Sequence, residues 1–314
     1  MVADVEDPRP ALLGQPPHPA CERVVSLPDA DLKGRQDRLV GSSLRHRGEE
    51  LLGTRGGLEA WAQRGRTMGI PLLHPWANRL SGWSYEVDGR RVELARGSAQ
   101  VRPDEHGLPM RGLLHGETSW VVTERTETEL RAGYDFGADS RRMRLFPFAH
   151  VLAVHAILGP VGLQITTTLT PTGDAAVPVA FGCHPYLRPP GVLRSAWGIE
   201  SDVSEQLILD RSSVPTGEVR SQRVASGALG DRTLDHGYQS ATGAWLRVRA
   251  GSRTIDIRLL DGYTHAQLFA PGNEDVIAFE PMTAPADALR SGNGLRTVAP
   301  GATFSASFRI DVYG

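Results

Sequence analysis

Cysteine is nearly absent from this chain: Cys21 and Cys183 are the whole complement. Two thiols so far apart do not make a disulfide framework, and they supply no cysteine-rich metal site. An excess of charge of either sign is also missing. The 34 basic residues face 36 acidic ones, a formal net charge of -2, which gives no extended basic surface for nucleic acid. The cluster R-R-M-R at 141–144 reads instead as a solvated face. No apolar run reaches the roughly 18 residues of a membrane span. The N-terminus, M-V-A-D-V-E-D, lacks the basic patch and apolar core of a secretory signal. These absences describe a soluble, cytoplasmic protein with neither nucleic acid nor membrane as partner.

The signatures of several chemistries are missing too. The chain has no G-x-G-x-x-G between a strand and a helix, no G-x-x-x-x-G-K-[S/T], no G-x-S-x-G and no H-E-x-x-H. Its histidines form no tight ligand cluster. No nucleotide cofactor, acyl-enzyme serine or metal is therefore expected.

What the chain has in quantity is turn chemistry. Its 35 glycines and 22 prolines fit many tight turns and disfavour long helices. Residues 1–36, rich in proline and charge, read as a loosely packed arm, and 37–314 read as one domain. W-S-Y-E-V-D-G-R-R-V-E-L (83–94) is strand, D-G turn, strand. Residues 120–132 read as a half-exposed strand, 150–158 and 161–170 as a hairpin, 245–260 as another. T-F-S-A-S-F-R-I-D-V (303–312) alternates with period two. A helical period shows only around A-D-A-L-R. Hairpins in this number predict an all-β fold, a large antiparallel β-sandwich.

Two segments share one local design. A-F-G-C-H-P-Y and I-A-F-E-P-M each run an apolar strand into an ionisable side chain, His184 or Glu280, followed by a proline that cannot donate to a ladder. Taken singly, His184 fits a capping histidine and Glu280 a turn carboxylate. Together they supply a group suited to donating or accepting a proton near neutrality and a carboxylate base. Other polar groups interrupt the strands: Asn78 and Arg79 after L-L-H-P-W, Arg111 and His115 among glycines, Asp235 in L-D-H-G-Y. Trp76, beside the Asn78–Arg79 loop, is the tryptophan expected to be exposed as a sugar-stacking platform.

The ordered set N-R, H-G, H-P-Y, L-D and E-P-M-T-A-P-A-D-A resembles the aldose 1-epimerase (galactose mutarotase) family, from about residue 38 to the C-terminus. The closing G-L-R-T-V-A-P-G-A-T-F-S-A-S-F-R-I is similar as well. The resemblance implies one large β-sandwich, the family's supersandwich, with a sugar groove across one sheet. It also implies cofactor-independent interconversion of the anomers of an aldose. His184 would then act as general acid at the ring oxygen and Glu280 as base at the anomeric hydroxyl. Arg79 and Asp235 would hold hydroxyls, and Asn78 would shape the arginine loop. The sequence departs from the family after L-P-M, where Arg111-Gly112 stands in the place of a histidine-glycine pair and His115-Gly116 follows four positions later. Either His115 fills the family position, the preferred reading, or Arg111 replaces it and favours an acidic or phosphorylated sugar. A non-catalytic sugar-binding or sensing protein on the same sandwich is the alternative. A sandwich glycoside hydrolase or lyase lacks a second convincing carboxylate.

Overall fold

A computed structural model describes residues 39–57, 67–114 and 119–314. The expected arm at 1–36 and His115 lie outside the described residues. Two large antiparallel sheets hold most of the strand residues. The nine-stranded sheet runs Gly227–Ala228, Gly198–Ser201, Trp245–Ala250, Arg253–Leu259, Phe304–Tyr313, Gly162–Pro171, His150–Gly159, Glu129–Asp135, Val121–Arg125. The seven-stranded sheet runs Pro215–Ser221, Glu205–Leu209, Leu234–Gln239, His265–Ala270, Ala278–Met282, Gly182–Cys183, Leu72–Leu73.

Period-two alternation sets the faces. Along Phe304–Tyr313, Ala306, Phe308, Ile310 and Val312 are buried, while Ser305 and Ser307 pair outward with Thr168 and Thr166 across the strands. Phe308 and Phe304 meet Tyr263 and Phe181 of the second sheet's region, with ring centroids 6.1 and 6.0 Å apart. The expected hairpins are present. The strand His150–Gly159 pairs with Gly162–Pro171 over its full length. The D-G turn of 83–94 has Asp88 and Gly89 at φ 50° and 71°, the left-handed pair that matches strand twist.

Two expectations are corrected. Residues 120–132 are not one strand: Thr126 Oγ1 accepts the Glu129 amide at 2.9 Å, and this hydroxyl-closed turn divides Val121–Arg125 from Glu129–Asp135. The R-R-M-R cluster is not wholly solvated. It forms a short helix, Ser140–Met143, capped by Asp139, and Arg142 is buried, pairing with Asp139 and donating from Nε to Leu113 O at 3.0 Å. A second short helix, Ala288–Ser291, lies in A-D-A-L-R. Among the described residues no helix is long and apolar enough to cross a membrane.

Candidate functional site

Cross-strand register decides which side chains share the outer face of the seven-stranded sheet. Residues directly opposite one another point the same way, and every second residue returns to that face. Gly237, Gln267 and Glu280 form one row, and Asp235, Phe269 and Ala278 the next. Met282, Gly182 and Leu73 form a third. His184 stands two residues past Gly182 and so returns to this face, whereas Phe181 and Cys183, one step out of phase, turn to the core. Burial pushes the Cys183 thiol up to about 12, which removes it as a nucleophile.

This geometry brings the two expected acid–base residues together. His184 Nε2 lies 3.0 Å from Glu280 Oε1, and both side chains are only 4% exposed. Burial raises Glu280 well above the usual carboxylate range, helped by the negative charge of Asp235 and opposed by Arg111 and Arg79. Burial outweighs both arginines at Glu280. It likewise holds His184 well below the usual imidazole range, with the positive charges of Arg111 and Arg55 adding to the effect.

The opposite wall is the segment 74–80 with the hairpin Arg102–Pro103/Pro109–Met110. Ala77 N donates to Ala180 O (2.7 Å), Leu80 N to Pro109 O (2.9 Å) and Asp287 N to Arg79 O (2.8 Å). A Cβ on Gly182 would lie 2.6 Å from Pro281 O and 2.9 Å from Ala77 Cβ, so only glycine admits this close approach. Arg79, 2% exposed, donates from Nε to Asp104 Oδ2 at 2.8 Å and from Nη1 to Ser213 O at 3.2 Å. Asp104 Oδ1 in turn accepts the amides of His106 and Leu108. On the sheet side, Gln267 Nε2 donates to Asp235 Oδ1.

Between these walls lies a cavity lined by Asn78, Arg79, Arg111, Asp235, His184 and Glu280 among others, a concave site with convergent polar groups of the kind that binds small molecules. Trp76 is a correction. It is 1% exposed, its backbone bridged to Ala180, so it belongs to the core. Phe269, half-buried and edge-on to His184 at 5.5 Å, is the aromatic that lines the cavity.

Beneath the arginine segment, His74 and His150 join Nε2 to Nε2 at 2.8 Å. His150 Nδ1 donates to Phe148 O at 2.6 Å, which leaves its Nε2 as acceptor and makes His74 the donor from Nε2. Both rings are fully buried and held below the ordinary imidazole range by burial, His150 at about 4. Nothing in the sequence pairs these two histidines. Four site residues also escape a reading of the sequence: Asp104, Gln267, Arg55 and Tyr186. Of these, Tyr186 had a signal in the site motif itself, since it stands two residues past His184 in H-P-Y.

The model of the aldose 1-epimerase family matches residues 42–311. The uncharacterized protein YihR of Escherichia coli strain K12 is 20% identical over 263 residues, covering 77% of this chain and 80% of that protein. Among solved structures, a galactose mutarotase-like protein from Clostridium acetobutylicum superposes with a TM-score of 0.76 at 14% identity, covering 87% of this chain and 89% of that one. Galactose 1-epimerase from Lactobacillus acidophilus gives 0.69 at 12% identity, covering 91% and 93%. At such identities these structures establish the shared fold.

Proposed function

The chain belongs to the aldose 1-epimerase family, and from that premise we propose that it interconverts the α and β anomers of an aldose by opening and closing the ring. The observation that carries this reading is the buried His184–Glu280 contact of 3.0 Å beside a cavity lined by Asn78, Arg79, Arg111 and Asp235. A hemiacetal presents, on one carbon, a hydroxyl that must lose a proton and a ring oxygen that must gain one. Two titratable groups this close can serve both oxygens, and no nucleophile is needed.

In the proposed cycle Glu280 takes the proton of the anomeric hydroxyl while His184 gives one to the ring oxygen. The C1–O5 bond breaks and leaves the open-chain aldehyde. Rotation about C1–C2 turns the other carbonyl face to the ring hydroxyl, and closure returns both protons. The pair holds one proton throughout, on His184 when the ring is closed and on Glu280 when it is open. Burial favours neutral His184 and protonated Glu280, the state that accompanies the aldehyde. Each assisted transfer is worth about 10²–10⁴-fold. Arg79, fixed by Asp104, donates to sugar hydroxyls, Asp235, fixed by Gln267, accepts from others, and Asn78 shapes the arginine segment. Polarimetry on freshly dissolved α-aldoses tests the reading. Protein should speed the drift in rotation, and the absence of acceleration with every aldose overturns it.

A further inference from the structure

We propose that the substrate carries an acidic group away from its anomeric carbon and that Arg111 holds that group. This rests on the epimerase reading and adds a substrate class to it.

The charges lining the cavity are unevenly matched. Arg79 is taken up by Asp104, with Glu105 3.5 Å away, and Asp235 is held by Gln267. Among the described residues Arg111 has no such partner: its Nε is shielded from solvent with no hydrogen bond, and its guanidinium makes no ion pair. Its backbone is nevertheless held firmly. Arg111 sits at φ 66°, a left-handed conformation that arginine seldom adopts. Its amide donates to Asn78 O at 2.6 Å, and Leu113 N donates to His74 O at 2.7 Å. A Cβ on the intervening Gly112 would lie 2.3 Å from His74 O. The chain is thus fastened on both sides of an arginine that lines the cavity. Its charge is felt at His184, Glu280 and Tyr186, and it acts against Arg102 across the same hairpin.

A desolvated guanidinium donor without an acceptor is costly, and a ligand that supplies one recovers that cost. The planar fork matches phosphate, sulfonate or carboxylate oxygens in pairs, whereas a sugar hydroxyl accepts a bond but leaves the charge unbalanced. The reaction limits where the acid can sit. Ring opening needs a free anomeric hydroxyl, so a sugar 1-phosphate does not qualify. Asp235 repels an anion and accepts hydroxyls, which confines the acidic group to the Arg111 side.

Exchange NMR on a neutral hexose, its 6-phosphate, its 6-sulfonate and the matching uronic acid tests the assignment. At least one acidic sugar should show kcat/KM about 10- to 100-fold above the neutral parent. R111Q should shrink that ratio towards one, R111K should restore part of it, and added salt should reduce it. The acid with the largest ratio identifies the anion. Equal or better turnover of the neutral parent, or an equal loss on both sugars in R111Q, overturns the proposal. Calorimetry on E280Q separates this outcome from failure of the epimerase reading. Binding of an acidic sugar that the R111Q/E280Q double variant lacks supports the anion site even without exchange, and no binding of any acidic sugar overturns it.

Discussion

The His184 imidazole lies stacked on the Tyr186 ring, with centroids 3.9 Å apart and planes 16° from parallel. Tyr186 is itself fixed: its hydroxyl meets Thr67 Oγ1 at 2.6 Å, and the Arg55 guanidinium lies over its ring at 4.6 Å. Arg55 is anchored by two bonds to Glu274. This stack orients Nε2 towards Glu280. Removing the ring in Y186L should lower kcat by about 10- to 100-fold through lost orientation, whereas Y186F, which keeps the stacked ring, should retain most activity. Steady-state kinetics on both variants decides it; equal losses would assign the effect to the hydroxyl instead.

Arg79 and Asp104 form an ion pair with side chains 2% and 0% exposed. Truncating one partner strands a buried charge, a loss of about 3–5 kcal/mol. D104A should therefore unfold at markedly lower denaturant. D104N keeps an oxygen for the amides of His106 and Leu108, so it should cost less stability. Both should raise KM more than they lower kcat, because Arg79 holds the sugar rather than moving a proton.

The pH profile of kcat/KM should be bell-shaped, since the His184–Glu280 pair works with one proton. Activity falls in acid when both groups are protonated and in alkali when neither is. Burial lowers His184 and raises Glu280, so the acid limb lies below the ordinary imidazole range and the alkaline limb above the ordinary carboxylate range. The two limbs belong to the pair rather than to either residue. An alkaline limb near the ordinary glutamate value of about 4.3 would contradict this.

Stability should fall in mild acid because of His150. Its folded value, about 4, lies below the ordinary 6.5, so between these pH values the unfolded chain takes up a proton that the folded one refuses. Stability is then fully present above about 6.5 and declines towards pH 4, by about 3 kcal/mol from this group. His265, also at about 4, acts with the same sign. Urea midpoints between pH 7 and 4 measure the slope, which should be shallower in H150Q.

The fold was legible where alternation and turn residues agree, as in 83–94, 150–170 and 303–312. It was less so at two-residue strands such as Gly182–Cys183 and Leu72–Leu73, which exist through long-range pairing rather than local preference. His184 and Glu280 stood out because each ends an apolar run before proline. Their meeting, however, depends on the pairing of Gly182 with Met282, one hundred residues apart in the chain. The turn at Asp104 has local chemistry that a sequence displays, but its bond to Arg79 does not. Trp76 was misplaced for the same reason, since its exposure is decided by what packs over residues 74–80.

Anomer exchange in an equilibrated aldose, followed by two-dimensional exchange NMR with wild type and E280Q side by side, tests the acid–base pair most directly. Wild type should give α–β cross-peaks that buffer lacks, and E280Q should slow the exchange by at least about 10²-fold. Exchange as fast in E280Q as in wild type would contradict the role assigned to the pair.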